Sequence, residues 1–175
     1  MRLFAVLIGL LAIPLGAGEA IADDKPKAED DKVAPLKRFV GEWEVHGKWN
    51  TGQELHARAV YKWGLKGKIL QAQTFVKDDK GEEYQRYESV MTWHPKKKSL
   101  YQVSFAFDGG MGEALIEAKD KDTLLIGFKP FNEGEASNLR QTIKFEGDDS
   151  FIWTVQVKEK EEWKQLIEAT WKRKK

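Results

Sequence analysis

The chain has 175 residues, a length that suits a single domain. Seven Trp, nine Phe and four Tyr are too many for a disordered chain, and 29 Lys plus Arg against 28 Asp plus Glu leave a net +1, so composition offers nucleic acid no basic field. The absence of Cys removes disulfides, thiolate nucleophiles and Cys-ligated metal sites together, and no HExxH, GxSxG or GxxxxGK(S/T) string occurs.

Met1-Arg2 is a short positive start, followed by an apolar run from Leu3 to Gly18 and the small-x-small pattern Ala20-Ile21-Ala22. The run, with Pro14 near its centre, is shorter than the ~20 residues of a spanning helix. It predicts a cleaved signal peptide over 1–22 and a secreted or periplasmic protein, not membrane-spanning once processed. No Cys follows the run, which excludes a lipid-anchored lipoprotein. Residues 23–35 are nearly all charge plus two Pro and predict a solvated, disordered linker. The folded domain is expected over 36–175, entered through a short helical turn at 33–40.

From there the hydrophobic period is two. Ten strands are predicted at 39–49, 55–63, 69–76, 84–93, 100–107, 112–118, 123–128, 139–145, 151–157 and 163–171, separated by turn signals such as NTG, HPKKK, DGG and GDD. No intervening stretch is long enough for a βαβ crossover. Short connections imply antiparallel neighbours, and ten strands remove their edges by closing. The expected fold class is therefore all-β, an antiparallel up-and-down β-barrel of about ten strands.

Register can be argued at both ends of the chain. A three-residue loop at Asn50-Thr51-Gly52 sets Trp43 opposite Ala59, Val45 opposite Ala57 and Gly47 opposite Leu55 on an apolar inner face. Glu44–Arg58 and Lys48–Glu54 then pair outside, and a one-residue slip would put the charges inside. This register also sets His46 opposite His56, the one metal-like constellation. Two imidazoles lack the third ligand that a tight site needs, nothing brings His94 to them, and two solvated outward His are the plainer reading. No metal is expected.

In the last two hairpins, loops at 146–150 and 159–161 give the rows Phe145–Phe151–Ala169, Ile143–Trp153–Ile167, Gln141–Val155–Gln165 and Leu139–Val157–Trp163. Gln141 and Gln165 would share one height on an apolar inner face. They either satisfy each other or water, or orient a polar group of a ligand. With Tyr61, Trp63 and Trp153 they form the candidate ligand-binding set. Six Trp (Trp43, Trp63, Trp93, Trp153, Trp163 and Trp171) fall on or near inward parity. Closure should also bring Arg173 over Trp43, with Gly41 required by close backbone approach, as a structural lock.

Gly41-Glu42-Trp43 on the first strand with Trp171-Lys172-Arg173 on the last resembles the lipocalin/calycin pattern, in which a Gly-x-Trp packs beside a basic residue of the final strand. More specifically, LKRFVGEW at 36–43, Trp93-His94-Pro95-Lys96-Lys97-Lys98, Asp108-Gly109-Gly110 and the closing Trp163…Ala169-Thr170-Trp171-Lys172-Arg173-Lys174 are similar to the bacterial domain-of-unknown-function 1579 family. The likeness spans 36–174. It implies a lipocalin-like barrel and no established activity. Leu139-Arg140-Gln141 departs from the Tyr-Arg-Asp common in that family, so no role passes to an acidic residue there. Some calycin-like barrels bind heme through a late-strand His, but no His follows His94, and no cofactor is expected.

Three function classes follow. The first is a binding module holding a small apolar or amphipathic molecule in the barrel. The second is a structural or interaction protein of the cell envelope, its barrel filled by its own side chains. An enzyme comes last, because Glu113, Glu117 and Glu168 sit where parity does not place them inside. The glycines of Gly109-Gly110-Met111-Gly112 have no helix behind them and read as a hairpin turn, not a phosphate loop.

Overall fold

The structure, a computed structural model, describes residues 28–78, 80–130 and 139–175. The expected signal peptide over 1–22 and the start of the charged linker lie outside the described residues. Among the described residues ten antiparallel strands form one closed barrel: β1 (Gly41–Lys48), β2 (Glu54–Gly64), β3 (Ile69–Lys77), β4 (Glu83–His94), β5 (Ser99–Ala106), β6 (Met111–Ala118), β7 (Thr123–Pro130), β8 (Leu139–Phe145), β9 (Ser150–Glu159) and β10 (Glu162–Arg173). Each strand pairs with its sequence neighbours, and β10 returns to pair with β1. The first hairpin has the expected register throughout, His46↔His56 included, and Gly52 at φ +91° supplies the turn's left-handed residue. No helix among the described residues is long and apolar enough to cross a membrane.

A 3-10 helix over Ala28–Phe39 seals one end of the barrel. With three residues per turn, Val33, Leu36 and Phe39 stack on a single face, and all three are buried. Phe39 reaches Tyr61, Phe145 and Phe151 with ring centroids 5.2, 5.0 and 5.7 Å away. Arg38 points the other way. It lies 4.2 Å over the Phe145 ring and donates to Asp122 Oδ1 at 2.8 Å and to the Gly147 carbonyl at 2.7 Å. The helix takes in the end of the charged stretch, and Val33 within that stretch has a place in the core.

The last hairpin also departs from expectation. Rows Phe145–Phe151, Ile143–Trp153, Gln141–Val155 and Leu139–Val157 hold between β8 and β9. Between β9 and β10 the turn is Lys160-Glu161, with Lys160 at φ +56°, and a bulge interrupts the ladder between Gln165 and Ile167. Ahead of the bulge Trp163 faces Lys158 and Gln165 faces Gln156; after it Ile167 faces Val155, Ala169 faces Trp153 and Trp171 faces Phe151. The extra residue, Leu166, reverses inward and outward parity for the start of the strand. Asn50 fastens this bulge, its backbone N–H donating to the Leu166 carbonyl at 2.8 Å and its side-chain amide to the Gln165 carbonyl at 3.2 Å.

Candidate functional site

The sealed end carries the expected lock. The Arg173 guanidinium lies 4.2 Å over the Trp43 ring and donates to the carbonyls of Val40 at 2.5 Å, Arg38 at 3.0 Å and Asp148 at 2.9 Å. Trp43 is fully buried and gives its indole N–H to the Phe39 carbonyl at 2.6 Å. Gly41 sits at φ +124°, and a Cβ there would stand 2.6 Å from Arg173 Nη1. The basic tail is not frayed. Lys174 donates its backbone N–H to the Glu42 carbonyl at 2.8 Å and its ammonium to the Glu42 carboxylate at 3.0 Å.

His46 and His56 meet on the outer face with their Nδ1 atoms 2.7 Å apart, so one ring donates to the other and both remain exposed. His94 is elsewhere, its Nδ1 accepting from the Lys97 N–H at 3.3 Å. Among the described residues no group of three His, Cys, Asp or Glu is placed to hold a metal ion. Beside His46 the β1–β10 ladder stops after Val45↔Trp171, leaving an outer groove of about 640 Å³ lined by Glu44, His46, Ile152, Glu168, Ala169, Thr170 and Lys172. It is open to solvent, and its lining comes mostly from the outer face.

Inside the barrel, packing changes along the axis. Towards the helix most inward residues are buried, Trp43, Leu70, Met91, Leu100, Ile116, Leu124, Phe145 and Phe151 among them, with Tyr61, Trp63 and Trp93 half-buried against them. Towards the other end Leu55, Ala57, Thr74, Val76, Ser104, Gly112, Phe128, Leu139 and Val157, on the same inward parity, are only half-buried. This half of the barrel is therefore accessible. Where the halves meet, Trp153 gives its indole N–H to Gln141 Oε1 at 3.0 Å and lies edge-on to Trp49 at 6.1 Å. An indole N–H only donates, which fixes the Gln141 amide orientation and leaves its NH₂ without a partner among the described residues.

The predicted ligand set is thus divided. Gln141 and Trp153 come together in the barrel. Gln165 is exposed on the outer face beside Gln156, and the bulge that puts it there also takes Trp163 outside, under the Arg140 guanidinium at 4.0 Å. Tyr61 and Trp63 face inward at the sealed end and pack against the core. Tyr61 keeps some accessible surface, yet burial pushes its hydroxyl up to about 12.

No family model and no curated protein sequence matches the chain. Solved structures do. The S-type phycobiliprotein lyase CPES from Guillardia theta aligns with a TM-score of 0.52 at 14% identity, over 86% of this chain and 99% of its own. A redesigned β-barrel aligns at 0.45 and 11% identity, over 81% and 96%, and EF1p2_mFAP2b bound to DFHBI at 0.44 and 13%, over 82% and 99%. At such identities the likeness is one of fold.

Sequence reasoning missed a second internal polar group. Gln102 and Ser89 are buried, Gln102 Nε2 donates to Ser104 Oγ at 2.8 Å, and the Ser89 and Ser104 hydroxyls share a hydrogen bond of 2.8 Å. The alternation Leu100, Gln102, Ser104 would have found it, had the parity argument been carried into β4 and β5. Glu113, Glu117 and Glu168 all fall on outward parity.

Proposed function

We propose that the protein is an exported binding module that takes a small apolar or amphipathic molecule into the open half of its barrel, with the Gln141 amide meeting a polar group of the guest. The observation that carries this reading is the gradient along the axis. One half is the more tightly packed, beneath the helix, while the other leaves apolar inward residues half-buried around the Gln141 amide. A mostly apolar concavity with a few convergent polar groups is how small-molecule sites are built. Around Gln141 the inward positions supply amides, hydroxyls and aromatic rings, while the carboxylates on inward parity, Glu159 and Glu162, lie exposed at the strand ends, with Glu159 paired to Lys164. This favours binding over acid–base catalysis.

Native mass spectrometry of gently purified protein, paired with titration of the uncharged fluorophore phenylnaphthylamine, tests the reading. The wild type should bind the fluorophore, Ala57→Phe should obstruct the open half and abolish binding, and Gln165→Leu on the outer face should change nothing. A wild type that carries no small molecule and binds no fluorophore would leave the alternative, an envelope protein whose barrel is filled by its own side chains.

A further inference from the structure

At the open end of the barrel, β4 carries Tyr84, Arg86 and Tyr87. Tyr84 faces Val76 and Tyr87 faces Thr74 of β3, both inward positions. Residues three apart on a strand normally point to opposite faces. These two share a face because the ladder shifts between Thr74 and Phe75, leaving Arg86 as the residue with no partner on β3. A bulge of this kind re-aims a side chain, and here it aims a guanidinium at the rim.

The β5–β6 turn completes the arrangement. The Phe107 N–H donates to the Arg86 carbonyl at 3.0 Å, and the tip is held by Gly109 N–H to Ala106 carbonyl at 2.9 Å, with Gly109 at φ +84°. Arg86 lies 4.4 Å from the Phe107 ring centroid and 5.4 Å from that of Tyr87, and Tyr84 meets Phe107 edge-on at 5.3 Å. The rings stay wet: Phe107 is 61% exposed, Tyr87 40% and Tyr84 36%. As a stabilising device this is poor, since the apolar surface is not removed from water and an exposed ion pair adds little. Among acidic neighbours, Glu83 is held by Arg58 at 2.7 Å, and Glu88 accepts from Gln85 at 2.6 Å and Gln73 at 3.2 Å. Asp108 faces the guanidinium at 3.7 Å, beyond direct hydrogen bonding.

We infer that this rim is the headgroup site of the barrel, and that the guest is an amphipathic molecule with an aromatic or apolar body and an anionic group. The inference rests on the binding reading above: the body lies in the open half, and its carboxylate, sulfonate or phosphate reaches Arg86. Guanidinium is weakly hydrated, stacks on rings and offers a planar fork to such oxyanions. Tyr84, Tyr87 and Phe107 hold that fork in place and present ring faces to the part of the guest that emerges. Asp108 occupies the direction from which an anion would come and is displaced by it.

Two probes sharing one ring skeleton separate the two claims: anilinonaphthalene sulfonate and its uncharged parent phenylnaphthylamine. Wild-type protein should prefer the sulfonate by roughly tenfold, about what one charge-assisted contact supplies, and the preference should shrink as salt is added. Arg86→Gln should erase it while leaving the affinity for the uncharged parent unchanged. Asp108→Asn should enlarge it. Equal affinity of the wild type for both probes, or an Arg86→Gln variant that weakens both alike, overturns the headgroup site and leaves the binding module standing. Failure of the uncharged parent to bind overturns both.

Discussion

A guanidinium stacked on an indole is worth ~0.5–2 kcal/mol, depending on how dry the pair is. Arg173 adds hydrogen bonds to three backbone carbonyls, and two of these, Arg38 and Val40, belong to the helix and to its junction with β1. One side chain from the last strand therefore fixes the chain's entry into the first. Arg173→Ala should cost ~1–2 kcal/mol, and its effect with Trp43→Phe should be strongly non-additive, because both remove the same stacked pair. Gly41→Ala should destabilise by a different route, through a disfavoured φ and a Cβ pressed on Arg173 Nη1. Chemical denaturation of the single and double variants reads the coupling, and additive effects would remove the lock from the account. The lock was legible in the sequence because only closure and parity were needed to bring Arg173 to Trp43.

Elements were legible to the degree that their pattern was regular. The first hairpin could be derived pair by pair, since charges outside and apolar residues inside permit one register. The last could not. Nothing in the alternation of 162–173 announces that Leu166 is an extra residue, and a bulge missed by one position carries Gln165 and Trp163 to the wrong face. The bulge in β4 was hidden for the same reason, and with it the rim around Arg86. Beneath the barrel a helical turn is expected at 33–40, but Val33 stands inside the charged stretch of 23–35, and only three residues per turn set it on one buried face with Leu36 and Phe39. That helix should behave as part of the core. Leu36→Ala should cost ~2–5 kcal/mol, as a large buried side chain does, and Val33→Ala ~1–2 kcal/mol despite its setting among charges. A Val33→Ala variant with an unchanged denaturation midpoint would mean that the helix undocks freely.

Across the whole barrel a chain of exposed charges bridges the seam where β10 closes on β1. Lys174, just past β10, meets Glu42 on β1 at 3.0 Å; Glu42 meets Arg58 on β2 at 3.6 Å; and Arg58 lies 4.1 Å over Phe75 of β3 while reaching Glu83 on β4 at 2.7 Å. The hydrogen bond from Lys174 lowers the pKa of Glu42, and that from Arg58 lowers the pKa of Glu83, in both cases from an ordinary value of 4.5. Carboxylates whose pKa is lower in the folded than in the unfolded chain contribute stability that is complete above the unfolded value and is lost as pH falls through the folded one. The melting temperature should therefore hold steady from about pH 7 to about pH 5 and decline below about pH 4.5 as the bridge is protonated. Because these groups are solvent-exposed, the contribution is small and should shrink further in high salt. Arg58→Gln separates this network from general acid unfolding. It removes the partner of Glu83 and one partner of Glu42, so its melting temperature should start lower at neutral pH and fall less steeply in acid. Parallel curves for variant and wild type, measured by scanning calorimetry across that pH range, would show that the seam is closed by its ladder and lock alone.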